Sequence, residues 1–111
     1  MKRILVTDDS KVDRSIVAQS LRKKFEVLEA DSGTEALEIL AATDVDLIIL
    51  DVIMPGQYNG FDVLRILREK ESGKNLPIVM LTAEDKEQDI MQGLEDGATS
   101  YLTKPFNSDE L

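Results

Sequence analysis

Leu47-Ile48-Ile49-Leu50-Asp51 sets four consecutive branched aliphatic residues against a closing carboxylate, and this stretch decides the fold. The run from Asp46 to Leu50 is short and shows no polar alternation. That is the pattern of a central parallel strand covered on both faces. A carboxylate ending so apolar a strand is costly unless a ligand or partner stands beside it.

Three other apolar runs end in polar groups. Ile4-Leu5-Val6 is followed by Asp8 and Asp9, Ile78-Val79-Met80-Leu81 by Thr82, and Tyr101-Leu102 by Lys104-Pro105. If these runs are parallel strands, their C-terminal ends open on one edge of the sheet, where open α/β folds bind ligands. Two acids, a third acid, a hydroxyl and an amine then converge, and the carboxylates point to a metal site.

The segments between the strands read as helices. Ser10 to Lys24 follows a strand at Arg3 to Thr7, with Val12, Ile16, Val17 and Leu21 expected inside and Asp9 or Ser10 as the cap. Glu26-Val27-Leu28-Glu29-Ala30 alternates as a half-buried strand. Ser32-Gly33-Thr34-Glu35 then has capping-box spacing before Ala36, Leu37, Ile39 and Leu40. A long turn carrying Met54-Pro55-Gly56 and Asn59-Gly60 leads to a helix with Phe61, Leu64 and Leu67. Ala83 to Asp96 predicts a helix with Ile90, Met91 and Leu94 inside, stopped by Gly97. Ser100 to Thr103 is the fifth strand, and Asn107 to Leu111 is the cap and first turn of a fifth helix. Such alternation predicts one α/β domain over 1–111, a parallel sheet with right-handed crossovers and helices on both faces.

Composition narrows the chemistry. The 111 residues contain no Cys and no His, so thiolate and imidazole ligands, histidine bases and histidine phosphocarriers are excluded. Any metal must be held by oxygen, which favours Mg²⁺, Mn²⁺ or Ca²⁺. A net charge of −9 argues against direct binding to nucleic acid or to an anionic membrane. The apolar stretch after Lys2-Arg3 is too short for a signal peptide or a membrane span, which predicts a cytoplasmic protein.

In combination these residues resemble the receiver domains of bacterial two-component response regulators. The resemblance rests on Val6-Thr7-Asp8-Asp9-Ser10, Asp51-Val52-Ile53-Met54-Pro55-Gly56, Thr82-Ala83 and Lys104-Pro105-Phe106, in the family's order and each after the expected strand. It implies a flavodoxin-like (βα)5 three-layer sandwich with strand order 2-1-3-4-5 and the fifth helix truncated. It also implies that Asp51 is the phosphoacceptor, that Asp8 and Asp9 bind Mg²⁺ (or Mn²⁺), and that the backbone carbonyl of Ile53 is a further ligand. Thr82 matches the switch hydroxyl, Lys104 the phosphate-contacting amine, and Tyr101 the aromatic whose rotamer reports phosphorylation. The Lys104-Pro105 bond is expected to be cis. The implied partners are a histidine kinase or histidine phosphotransfer protein and a downstream effector. The implied activity is limited to self-phosphorylation and slow autodephosphorylation.

The chemistry is consistent with that assignment. Three crowded carboxylates repel, and a divalent cation relieves the repulsion. Phosphoryl transfer asks mainly for in-line positioning and charge screening, so an ionised Asp51 needs no general base. Taken singly, Asp9 and Thr82 read as helix caps, Lys104 as a solvated lysine and Tyr101 as a half-buried strand aromatic. Jointly, the functional reading prevails. The alternative is a Mg²⁺-dependent aspartyl-phosphate phosphohydrolase, against which stands the absence of a D-x-D pattern after the first strand.

Two departures from the family pattern stand out. One extra residue between Pro55 and Gly60 predicts a bulged loop beside the metal. The incomplete fifth helix leaves apolar sheet surface to cover, from which truncation of a longer protein is expected, with a weak homodimer as the other explanation.

Overall fold

The aliphatic run at the centre of the sequence is the centre of the sheet. β3 (Leu47–Asp51) lies between β1 (Arg3–Thr7) and β4 (Ile78–Ala83), with β2 (Glu26–Ala30) outside β1 and β5 (Ser100–Lys104) outside β4. All four pairings are parallel, and the order is β2-β1-β3-β4-β5 as the resemblance implied. This computed structural model describes residues 2–52, 54, 56–70, 75–83, 91, 95 and 97–104, with the backbone alone at 82, 83, 103 and 104. The expected fifth helix, and all of the 83–96 helix except Ala83 and the helical residues Met91 and Glu95, lie outside the described residues.

Side chains of the strands alternate between two cores, as a pleated sheet covered on both faces requires. Leu5, Ile48, Leu50, Ile78 and Met80 pack with α2 (Gly33–Ala42) and α3 (Gly60–Glu69), where Ala36, Phe61, Val63, Leu64 and Leu67 are buried. Ile4, Val6, Ile49 and Leu81 pack on the opposite face against Val17 and Leu21 of α1 (Lys11–Arg22). Beside them, Phe25, Val79, Ser100 and Leu102 help line a groove of about 260 Å³ on the α1 face.

Local chemistry sets the helix ends. Ser10 caps α1, its hydroxyl accepting from the Asp13 amide at 3.3 Å. Ser32 caps α2 through Glu35 N–H at 3.1 Å, but the Glu35 carboxylate reaches past the cap to the Asp31 amide, so the reciprocal half of the expected box falls one residue early. The complete capping box is at α3, between Asn59 and Asp62.

Three apolar residues expected inside are not. Val12 is 70% exposed, Ile16 47% and Met91 62%. The buried stripe of α1 runs through Val17, Ala18 and Leu21. Extended back by one turn that i, i+3, i+4 stripe meets Arg14, whereas Val12 and Ile16 belong to a neighbouring stripe. Successive helical positions point about 100° apart, so Met91 need not share a face with Ile90.

Two arginine clusters tie the layers together. Arg68 of α3 donates to Leu76 O at 2.6 Å, Gly97 O at 2.8 Å and the Thr99 hydroxyl at 3.4 Å, spanning the approaches to β4 and β5. Burial pushes its pKa down. Gly97, at φ +105, takes a conformation that side chains resist. Across the sheet edge, Glu29 of β2 accepts from Arg14 Nε at 3.0 Å and Arg22 Nη2 at 2.8 Å. The two arginines cover Glu29, while Val27 and Leu28 on this edge strand are half-buried as well, so β2 does not alternate strictly.

The Arg22 hydrogen bond does most to hold the Glu29 carboxyl below its ordinary 4.5, with burial opposing and Arg14 adding to it. A folded pKa below the unfolded one means that the stabilisation is complete above the unfolded value and fades as pH falls through the folded one. Glu29→Gln is therefore expected to cost about 1 kcal/mol at neutral pH. In denaturant titrations at several pH values, the gap to the wild type should close below pH 4.5. A gap that persists unchanged into acid contradicts the assignment.

Candidate functional site

Strand register builds the site. Thr7 of β1 pairs with Leu50 of β3, so the residues that follow them, Asp8 just past β1 and Asp51 at the end of β3, stand side by side at the carboxyl edge. They flank the point where the chain from β1 turns out to β2 and that from β3 turns the other way to β4, the position where a doubly wound sheet opens a crevice. Asp8 is fully buried, Asp51 is 6% exposed and Asp9 is exposed. One carboxylate oxygen from each lies within 4.8 Å of the others.

That donor set fits a hard divalent cation. Oxygens at about 2.1 Å from Mg²⁺ sit about 3 Å apart on adjacent octahedral corners and about 4 Å apart on opposite ones. The three acids thus need only a small closure. Two buried anions side by side also repel strongly in a low-dielectric setting, which a cation offsets.

Asp8 is fixed on three sides. Its amide donates to Ala30 O at 3.1 Å, its carbonyl accepts from Arg14 Nη1 at 2.9 Å, and its Oδ1 accepts from the Ser10 amide at 2.9 Å. Asp51 is fixed by its chain neighbours: Val52 N–H donates to Leu81 O and Gly60 N–H to Val52 O, both at 2.9 Å. A Cβ on Gly60 would collide with the Asp51 carbonyl oxygen and come within 2.8 Å of Val52 Cα. The first residue of α3 therefore packs directly behind the Asp51 peptide.

The other predicted residues are placed by their backbones. Asp51 pairs with Leu81, so Thr82 is the next residue on the strand beside it, and Thr82 pairs in turn with Thr103. Lys104 ends β5 opposite Ala83. Tyr101 pairs with Met80 and is partly buried against the α2–α3 core. Ile53 and Pro105, and with Pro105 the expected cis bond, lie outside the described residues. In the longer loop after β3, Tyr58 folds back onto Gly33 at the start of α2, where an added Cβ would stand 2.8 Å from Tyr58 Cβ.

Sequence reading missed Gly60, taken only as a turn residue, and Arg14. Gly60 gave no signal of its own. Arg14 did, because an arginine on the buried stripe of an amphipathic helix calls for a partner. Gly60→Ala is expected to cost about 2 kcal/mol or more, as overpacking against backbone does. It should also shift the Asp51 and Val52 amide resonances. Stability within about 0.5 kcal/mol of the wild type contradicts this.

A doubly wound parallel sheet with an acidic trio at its switch point defines a class of small α/β domains whose site lies at the carboxyl edge of the sheet. Residues 4–111 match the family model of the response regulator receiver domain. Among solved structures, the chain is 37% identical to Vibrio cholerae chemotaxis protein CheY4, over 98% of this chain and 91% of that one, with a TM-score of 0.91. It is 33% identical to the receiver domain of Francisella response regulator 1452, over 99% of this chain and 89% of that one, with a TM-score of 0.86. It is 29% identical to the signal receiver domain of a signal transduction histidine kinase from Syntrophus aciditrophicus, over 99% and 83%, with a TM-score of 0.90. The chain belongs to the response regulator receiver domain family and is a phosphoacceptor signalling domain. Among the described residues, no helix is long and apolar enough to cross a membrane.

Proposed function

We propose that this domain accepts a phosphoryl group on Asp51 from the phosphohistidine of a partner kinase or phosphotransfer protein and passes a conformational change to an effector. The single observation that carries this reading is the convergence of the Asp8, Asp9 and Asp51 carboxylates within 4.8 Å at the switch point.

Asp8, Asp9 and Asp51, with the Ile53 carbonyl, would hold Mg²⁺ or Mn²⁺. The ion would supply charge screening for the phosphoryl oxygens. Asp51 attacks through an ionised carboxylate oxygen: an O–P bond forms to phosphorus, the bond to the donor breaks, and the donor leaves with its electron pair. Gly60 and the Val52 hydrogen bonds hold the main chain from which that carboxylate projects. Lys104 and Thr82 contact the transferred group from the adjacent strand ends. The pull on the Thr82 hydroxyl, followed by a turn of Tyr101, transmits the event to the surface. Residues 1–111 belong to one domain, which operates in the cytoplasm, and its only turnover is slow loss of its own phosphoryl group.

Incubation with acetyl phosphate and Mg²⁺ tests this. Expected is one acid-stable, hydroxylamine-labile adduct, seen by intact mass, which Asp51→Asn abolishes and chelation of Mg²⁺ prevents. An adduct that survives Asp51→Asn contradicts the assignment, and multiple turnover of phosphate esters would favour the phosphohydrolase.

A further inference from the structure

Asp8 is the acid of the trio that is buried completely, and the direction of its carboxylate depends on its main chain. Two of the bonds that fix it, Asp8 N–H to Ala30 O and Ser10 N–H to Asp8 Oδ1, are backbone donors that many sequences would supply. The third comes from a side chain. Arg14 Nη1 donates to Asp8 O at 2.9 Å while Nε of the same guanidinium donates to Glu29 at 3.0 Å. Glu29 is held in turn by Arg22 at 2.8 Å. The Arg14 side chain is 15% exposed and stands on the buried stripe of α1, one turn before Val17 and Ala18.

We infer that Arg14 is a positioning residue for the metal site: its planar fork, anchored on Glu29, sets the Asp8 main chain and so the affinity of the acidic trio for Mg²⁺. The inference rests on the metal reading above. The guanidinium suits the task because it offers two nitrogens in fixed relation, one for the carbonyl and one for the anchor, where lysine offers one. Glu29 serves a second purpose. A bare positive charge this near the trio would repel a divalent cation, and the carboxylate, shared with Arg22, offsets part of it.

Opposite signs make the proposal testable. If Arg14 acted on the site only as a charge, Arg14→Ala would tighten Mg²⁺ binding. If it positions Asp8, the same change weakens binding, by about tenfold, the lower end of what supporting partners of metal ligands contribute. Arg22→Ala is the control, since it removes the other arginine from the same carboxylate without touching Asp8.

The experiment is a Mg²⁺ titration of the full 111-residue chain and each variant, followed by the amide resonances of residues 8–10 and 51–52. Expected are an Arg14→Ala dissociation constant raised about tenfold, an Arg22→Ala constant within about twofold of the wild type, and a Ser10 amide already shifted in Arg14→Ala before Mg²⁺ is added. Equal or tighter binding by Arg14→Ala overturns the inference, as does equal weakening by both variants. If Arg14→Ala does not fold, Arg14→Lys carries the test: it keeps the stem and charge, loses the fork, and should bind several-fold more weakly, so an unchanged constant overturns the inference. A wild-type chain that binds no Mg²⁺ overturns the metal reading as well, which separates the two failures.

Discussion

The pairing of β1 with β3 is the constraint from which the site follows. With Thr7 opposite Leu50, the first residue past β1 and the last residue of β3 are both aspartates. A slip of one residue would carry every side chain of a strand to the other face and separate the acids. The polar ends of the run specify that register, because a slip would carry Asp46 or Asp51 into the cores that Ile48, Ile49 and Leu50 fill. The hydrophobic pattern that makes the sheet therefore also determines where the charge collects.

Around this fixed pair the chain uses different means to hold each acid. Asp51 is held by backbone contact, with the first residue of α3 placed where no side chain fits and the Asn59–Asp62 box fixing the start of that helix. Asp8 is held by three hydrogen bonds to two elements: to the Ala30 carbonyl of β2, and to the cap residue Ser10 and the Arg14 guanidinium of α1. Both arrangements fix the main chain that carries the carboxylates before any ligand arrives, and the Ser10 amide also orients the Asp8 carboxylate, as a site that acts by electrostatic preorganisation requires.

Much of this was legible in the sequence, for physical reasons that also explain the gaps. β1 and β2 begin and end where the apolar runs and their polar stops predict, and the acids closing β1 and β3 announced the edge on which they meet. The strand order came with the family resemblance, since apolar patterning cannot say which strands are neighbours. On α1, Val12 and Ile16 satisfied a helical repeat as well as Val17 and Leu21 did, and only packing against the sheet chose between the stripes. The Arg14–Glu29 and Gly60–Asp51 contacts join residues that are not neighbours in a periodic pattern, so only the folded geometry displays them.

The most direct check on the central claim is anomalous diffraction from crystals of the chain grown with Mn²⁺, a hard cation that accepts the same oxygen ligands as Mg²⁺. The account predicts a peak among the carboxylates of Asp8, Asp9 and Asp51, at ligand distances to all three or to two of them with water bridging the third. Manganese bound elsewhere on the acidic surface, with that trio empty, would contradict it.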